Sequence, residues 1–217
     1  MNPSESAANW LPLGHLNLRY NPFGERTWQD RAKLAIVDVE RWLPSFEHPG
    51  QAIQFIGDCG RGKSTHLLAI RAAHADSTYT YLPEDGPHPV VSLGTPTIID
   101  EAQRLGCRPR RKVLLSRQPL VLGTHVDLTN VLKRYDYQVK TVEVHSLIEI
   151  DHLAKVFNRR IEAAALRPDQ SVPEIKRSEI AILSKRFGTD IRAMEGYLYE
   201  RFQAHAGGPN GQVQFID

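Results

Sequence analysis

The stretch AIQFIGDCGRGKSTHLLAIRAAHA, residues 52–75, constrains this chain more than any other, because it sets three local signals in one order. The apolar run from Ala52 to Gly57 reads as a buried strand. Gly57, Gly62, Lys63 and Ser64 then satisfy the spacing G-x-x-x-x-G-K-S. From Lys63 onward the residues favour helix, with an apolar face on Leu67, Leu68, Ile70 and Ala73. Strand, glycine-rich loop and helix start together make an anion cradle: the glycines let backbone N–H groups turn inward, and the helix end adds partial positive charge. Gly57, Asp58, Cys59, Gly60, Arg61, Gly62, Lys63, Ser64 and Thr65 would surround the phosphates, Lys63 bridging the terminal ones and Ser64 ligating magnesium. Cys59 reads either as a small loop residue or as a redox-sensing thiol whose thiolate the loop would favour.

Four further apolar stretches read as strands: STYTYLP (77–83), TPTIIDEAQRL (95–105), PLVLGTHVDL (119–128) and YQVKTVEV (137–144). Several end in polar residues, as strands do at the carboxyl edge of a parallel sheet. After about residue 146 the pattern is helical, in three segments: 149–166, 172–187 and 190–206. The expectation is an α/β chain: a three-layer P-loop core over 51–145 with a five-stranded, mainly parallel sheet, followed by a small all-helical lid over 146–205. Residues 1–50 read as an irregular lead-in with the turn-rich NPFGER (21–26), then an amphipathic helix ending at Pro44, with Leu34, Val37, Trp42 and Leu43 on its face. Residues 206–217 read as a tail.

With 217 residues there is room for one full α/β domain and a small appendage. A net charge of +2 excludes a general polycation, so nucleic-acid binding would depend on a local patch. CRPRRKVLLSRQ supplies one through Arg108, Arg110, Arg111, Lys112 and Arg117, read either as a solvated face or as a DNA backbone contact. The two cysteines and nine histidines show no metal or redox spacing, which suits a reducing cytoplasmic setting. Neither a signal peptide nor an apolar run of membrane-spanning length is visible, so no membrane insertion is expected.

The second chemical signal is PTIIDEAQ, an apolar strand ending in two acids. Asp100 suits the water shell of a magnesium ion, and Glu101 suits the polarisation of an attacking water. Adjacent acids favour hydrolysis over a kinase reaction, which positions an acceptor hydroxyl instead. The plainer alternative is an acid pair stabilising the start of a following helix.

With the loop and the acidic strand together, the chain resembles the AAA+ ATPases. Within them it is most similar to the bacterial secretion-associated and transposition-helper ATPases, where an Asn-Pro-Phe element precedes the core. Here these residues are Asn21, Pro22 and Phe23, and the acidic strand carries Asp100, Glu101, Ala102 and Gln103. The resemblance runs from about residue 20 to 203. It implies ATP and magnesium as ligands, and ATP hydrolysis that works a conformational switch on a protein or DNA partner. It also implies a polar sensor at the end of the fourth strand, Thr124 with His125 as the alternative. VLKRYDYQV would hold an arginine finger, Arg134 or Lys133, acting on a neighbouring copy in a homo-oligomer. Arg192, after Gly188, would act from the chain's own lid. Phe23 reads as a packing residue, against the adenine pocket. The segment between Tyr81 and Pro96 is shorter than in many relatives, which counts against a ring-pore or DNA-gripping role. Two other readings stay open: an ATP-gated adaptor with little turnover, and a small-molecule kinase, against which the all-helical C-terminal third argues.

Overall fold

The computed structural model describes residues 11–46 and 48–206. For Leu43, Pro44, Ser45, Ser146 and Leu147 it describes the backbone alone. The chain forms two units: Trp28–Leu147, and the described parts of Met1–Thr27 and Ile148–Asp217.

In the first unit, β1 (Gln51–Ile56), β2 (Thr78–Tyr81), β3 (Thr97–Asp100), β4 (Leu120–Thr124) and β5 (Gln138–Glu143) form one sheet in the order β2-β3-β4-β1-β5. Every pairing is parallel, so each connection crosses a face of the sheet, and both faces are covered. The helices of this unit are α1 (Trp28–Leu34), α2 (Lys63–Ala73), α3 (Cys107–Leu115) and α4 (Thr129–Lys133). Strand alternation divides the apolar residues between two cores. Ile53, Phe55, Ile98 and Val121 pack with Leu67 and Ile70 of α2. Ala52, Ile99, Leu120 and Leu122 pack with Val113 and Leu114 of α3 and Leu132 of α4. This is the expected three-layer α/β arrangement, with a sheet that is wholly parallel.

Gln54 interrupts the apolar pattern of β1 and is fully buried. Its Nε2 faces Oδ1 of Asp127 at 2.7 Å and the hydroxyls of Thr129 and Thr141 at 2.8 Å each, while its Oε1 accepts from the Leu128 N–H at 2.9 Å. A buried amide left without partners would cost about 1–3 kcal/mol. With them, it ties β1 to the β4–α4 connection.

The helix expected to end at Pro44 is not continuous. α1 ends at Leu34, and a 3-10 stretch from Glu40 to Phe46 runs on through Pro44. Between them stand Ile36, Val37 and Val39, whose branched side chains are stiff in a helix. Trp42 is placed by packing instead: its ring meets Phe55 edge-on at 5.4 Å. The side chain of Leu43, assigned to the same face, lies outside the described side chains.

The second unit contains α5 (Ile150–Ala163), α6 (Arg177–Phe187) and α7 (Ile191–Ala204). Leu153, Phe157 and Ile161, then Ile180 and Leu183, then Met194, Leu198 and Phe202 recur at helical spacing and share one core. Leu13, Leu16, Leu18 and Phe23 belong to that core too. The lead-in is therefore not a piece of its own: residues 11–27 complete the helical unit, and those from Trp28 belong to the α/β unit. Asn17, with φ of 58°, donates to the carbonyls of Arg167 (2.9 Å) and Gln170 (3.0 Å) and accepts from the Arg167 N–H at 2.9 Å. Asn21 donates to the Tyr199 carbonyl at 2.9 Å, and Phe23 packs edge-on against Phe157. The Asn-Pro-Phe element is thus a packing element, its ring used up inside the helical core. Of the tail, residues 207–217 lie outside the described residues. Among the described residues no helix is long and apolar enough to cross a membrane.

Candidate functional site

The sheet order decides what can meet what. β4 lies between β1 and β3, so the loop after β1 and the acids after β3 stand two strand spacings apart, roughly 10 Å, with the end of β4 between them.

On the β1 side, Gly60 and Gly62 have φ of 79° and 91°, values glycine adopts without steric cost. α2 begins at Lys63, and Gly62 before it has no side chain to cap the first turn, in which the Thr65 N–H turns back to the Gly62 carbonyl at 3.1 Å. Ser64 and Thr65 fall within that turn. Lys63 is only 5% exposed, and its Nζ donates to the carbonyls of Gly57 (2.7 Å) and Asp58 (2.9 Å). Burial lowers the pKa of this ammonium against the opposing pull of Glu101, Cys59, Asp100 and Asp58. Arg61 reaches the Asp58 carboxylate only loosely, at 3.9 Å.

On the β3 side, Asp100 is 1% exposed. Its Oδ2 accepts from the Tyr79 hydroxyl at 2.9 Å and its Oδ1 from the Glu101 N–H at 3.1 Å. Its carboxylate leans over β4, where a β-carbon on Gly123 would come within 2.7 Å of Oδ1. Burial, and then the charge of Asp100, push the Tyr79 hydroxyl well above the usual phenol range. Glu101 follows in a left-handed conformation, φ 62° and ψ 42°, which turns its side chain back over the 3-10 turn Ala102–Arg104. There Oε2 accepts from Gln103 Nε2 at 2.7 Å and lies 3.5 Å from Arg104, whose guanidinium also binds the Leu82 carbonyl and Glu84.

At the end of β4, the two sensor candidates have parted. Thr124 is fully buried, its hydroxyl donating to the Val126 carbonyl at 2.9 Å and accepting from the Val126 N–H at 3.1 Å. That hydroxyl is engaged by its own turn. His125, whose side chain takes the other direction, puts Nε2 3.2 Å from the Glu101 carboxylate, 3.4 Å from Lys63 Nζ and 3.9 Å from Cys59 Sγ. Lys63, His125 and Glu101 therefore form one cluster across three strand ends.

The two candidate arginines belong to different units. Arg134 is exposed at the C-terminal end of α4, its side chain making no hydrogen bond or ion pair among the described residues. Arg192 is exposed in the first turn of α7, in the helical unit, after Gly188 ends α6 with φ of 63°. A cation in that turn opposes the helix dipole, so helix stability does not explain it. The basic run is divided. Arg108, Arg111 and Lys112 are exposed along α3, whereas Arg110 donates to the Leu105 carbonyl at 2.6 Å and Arg117 to that of Tyr135 at 2.5 Å.

No group of three or more His, Cys, Asp or Glu arranged to hold a metal occurs among the described residues. Magnesium usually keeps several waters and takes one or two carboxylates together with substrate phosphates, a demand that Asp100 and Ser64 can meet. Sequence reasoning missed Tyr79, Gly123 and Arg104. A glycine inside an apolar strand was the one available signal, since it often marks close approach of another group.

The structure thus defines two units, a three-layer α/β unit with a wholly parallel five-stranded sheet and a helical unit completed by the N-terminal segment. No protein-family model matches the chain, and a search of curated proteins also finds no match.

Proposed function

We propose that this chain is an ATPase of AAA+ type, which binds ATP with magnesium and hydrolyses it to work a conformational switch on a protein or DNA partner. One observation carries the reading: the buried ammonium of Lys63 and the carboxylate of Glu101, held on separate strand ends, converge on the same imidazole nitrogen of His125. An ammonium satisfied by its own loop's carbonyls can exchange them for phosphate oxygens, which make stronger, charge-assisted bonds. Loop N–H groups and the uncapped start of α2 would take further phosphate charge. Ser64 and Asp100 would hold magnesium, which supplies charge neutralisation when bound. In the reaction a water oxygen bonds to the terminal phosphorus and the bridging P–O bond breaks. ADP leaves with the bonding pair, and Glu101 takes the proton that the water loses. Arg134, exposed and uncommitted, would serve a neighbouring copy's nucleotide.

The test is a pair of substitutions. Lys63→Ala should abolish ATP binding, and Glu101→Gln should keep binding and lose turnover. Turnover of Glu101→Gln at the wild-type rate would contradict the role given to this acid. A second reading, an ATP-gated adaptor, is favoured by the hold that Gln103, Arg104 and His125 keep on Glu101. Wild-type protein that binds ATP without hydrolysing it, with and without DNA, would select the adaptor.

A further inference from the structure

The torsion that turns an aspartate carboxylate about its own bond is broad, so neighbouring groups decide where the two oxygens point. Parallel register and strand alternation put Tyr79, Asp100 and Gly123 on the face of the sheet that α2 covers, the face of Ile98, Val121 and Leu67. Tyr79 lies on β2, to one side of β3, and Gly123 lies on β4, to the other. The Asp100 carboxylate is strung between them. Its Oδ2 accepts from the Tyr79 hydroxyl at 2.9 Å, on the β2 side. Its Oδ1 accepts from the Glu101 N–H at 3.1 Å and stands over Gly123, where a β-carbon would come within 2.7 Å of it. The Tyr79 ring packs against the core beneath α2, which makes its hydroxyl a fixed point. Oδ1, with one of its two lone pairs taken, is thus the oxygen on the side of β4, the strand between β3 and β1 with its glycine-rich loop.

We propose that Tyr79 is a positioning residue which, by tying Oδ2 of Asp100 toward β2, keeps Oδ1 turned to the magnesium that accompanies ATP. The proposal rests on the ATPase reading and adds to it a residue outside the glycine-rich loop and the acid pair. Magnesium demands near-ideal octahedral geometry and gives up its waters reluctantly, so an oxygen that serves it must keep its place. A hydroxyl suits the task. It is neutral and gives one hydrogen, so it orients the carboxylate without cancelling the charge that the ion needs; a lysine or arginine there would compete with the ion. Gly123 is the other half of the device, since a side chain at that position would fill the space in which Oδ1 stands. Without the hydroxyl, Oδ2 loses its one hydrogen-bond partner among the described residues. The carboxylate can then turn on its soft torsion, and Oδ1 turns with it.

The experiment uses the full chain with Tyr79→Phe, Asp100→Asn and the double variant. Tyr137→Phe is the control: its hydroxyl donates to the Gln118 carbonyl at 3.1 Å and its ring belongs to the other core of the same unit. Circular dichroism melting sets a temperature at which the variants are folded. ATP affinity is then measured by calorimetry with magnesium and in EDTA, and the magnesium dependence of phosphate release at saturating ATP. Tyr79→Phe should bind ATP about tenfold more weakly with magnesium and equally well in EDTA, and should need about tenfold more magnesium for half-maximal release. Added to Asp100→Asn, the same change should cost nothing further, because Tyr79 acts through that carboxylate. Tyr137→Phe should leave both affinities alone. Equal falls with magnesium and in EDTA, an undiminished effect beside Asp100→Asn, a control that behaves like Tyr79→Phe, or a Tyr79→Phe protein that does not fold would each overturn the proposal. Wild-type protein that binds no ATP would overturn the ATPase reading, and this proposal with it. Wild type that binds ATP more tightly with magnesium, alongside an indifferent Tyr79→Phe variant, would overturn the proposal alone.

Discussion

The hydroxyl of Tyr79 donates to Oδ2 of Asp100 at 2.9 Å, from one strand of the sheet to the next. Asp100 is almost fully buried, and among the described residues its other hydrogen-bond partner is the N–H of Glu101. Tyr79→Phe removes the donor and leaves the carboxylate short of one bond. We expect a loss of about 1–3 kcal/mol in urea unfolding. An unchanged unfolding midpoint would mean that the bond contributes nothing net.

Gly123 is the space into which Asp100 leans. In Gly123→Ala the new carbon would meet Oδ1 of Asp100 at 2.7 Å and Leu67 at 3.1 Å, and the pinned carboxylate must shift. Overpacking of this kind costs about 1–3 kcal/mol. If Asp100 serves magnesium, nucleotide affinity measured with magnesium should fall more than affinity measured in EDTA. An equal fall in both would separate Asp100 from the ion.

Alkaline stability reports on Tyr137, whose hydroxyl is pushed up to about 12 by burial. The folded protein keeps this proton where the unfolded chain, at the ordinary phenol value of about 10, has lost it. Its contribution is therefore intact below pH 10 and is lost as pH rises toward 12, at about 1.4 kcal/mol per unit. The raised pKa of Tyr79 acts in the same direction. Urea midpoints taken between pH 9 and 11.5 should fall, and Tyr137→Phe should flatten the fall. Parallel slopes in the two proteins would contradict the assignment.

The exposed cations of α3 give the DNA partner its test. Replacing Arg108, Arg111 and Lys112 together by alanine should weaken DNA retention and reduce the salt slope by about one unit for each lost phosphate contact. Arg110→Ala should instead lower stability, because it unties the Leu105 carbonyl. Equal retention of triple variant and wild type would remove DNA from this face.

If Arg134 acts on a neighbouring copy, Arg134→Ala and Lys63→Ala proteins should each be inactive alone and regain ATPase activity when mixed. The first still offers a nucleotide site and the second still offers the arginine. A specific activity that does not depend on concentration, with no recovery on mixing, would return Arg134 to an ordinary surface role.

The loop, the five strands and the three C-terminal helices could be read from sequence because each is encoded locally, by glycine spacing or apolar period. The broken first helix could not be read, since Trp42 takes its place from Phe55 on another element. The choice between Thr124 and His125 turned on which side of β4's end each side chain takes, and on a turn that captures one hydroxyl. A run of like charges looked uniform until tertiary bonds claimed Arg110 and Arg117. The lead-in lacked any period because its partners are distant: Asn17 bonds residues 150 positions away.

That last feature bears on how the chain is made. Translation delivers Leu13, Leu16, Leu18 and Phe23 before the α/β unit, but the walls they pack against, α5, α6 and α7, emerge after it. The α/β unit, contiguous from Trp28 to Leu147, leaves the ribosome whole between the two. These apolar side chains therefore wait without their core while a whole domain is made between them and their partners. They are covered only when α7 arrives.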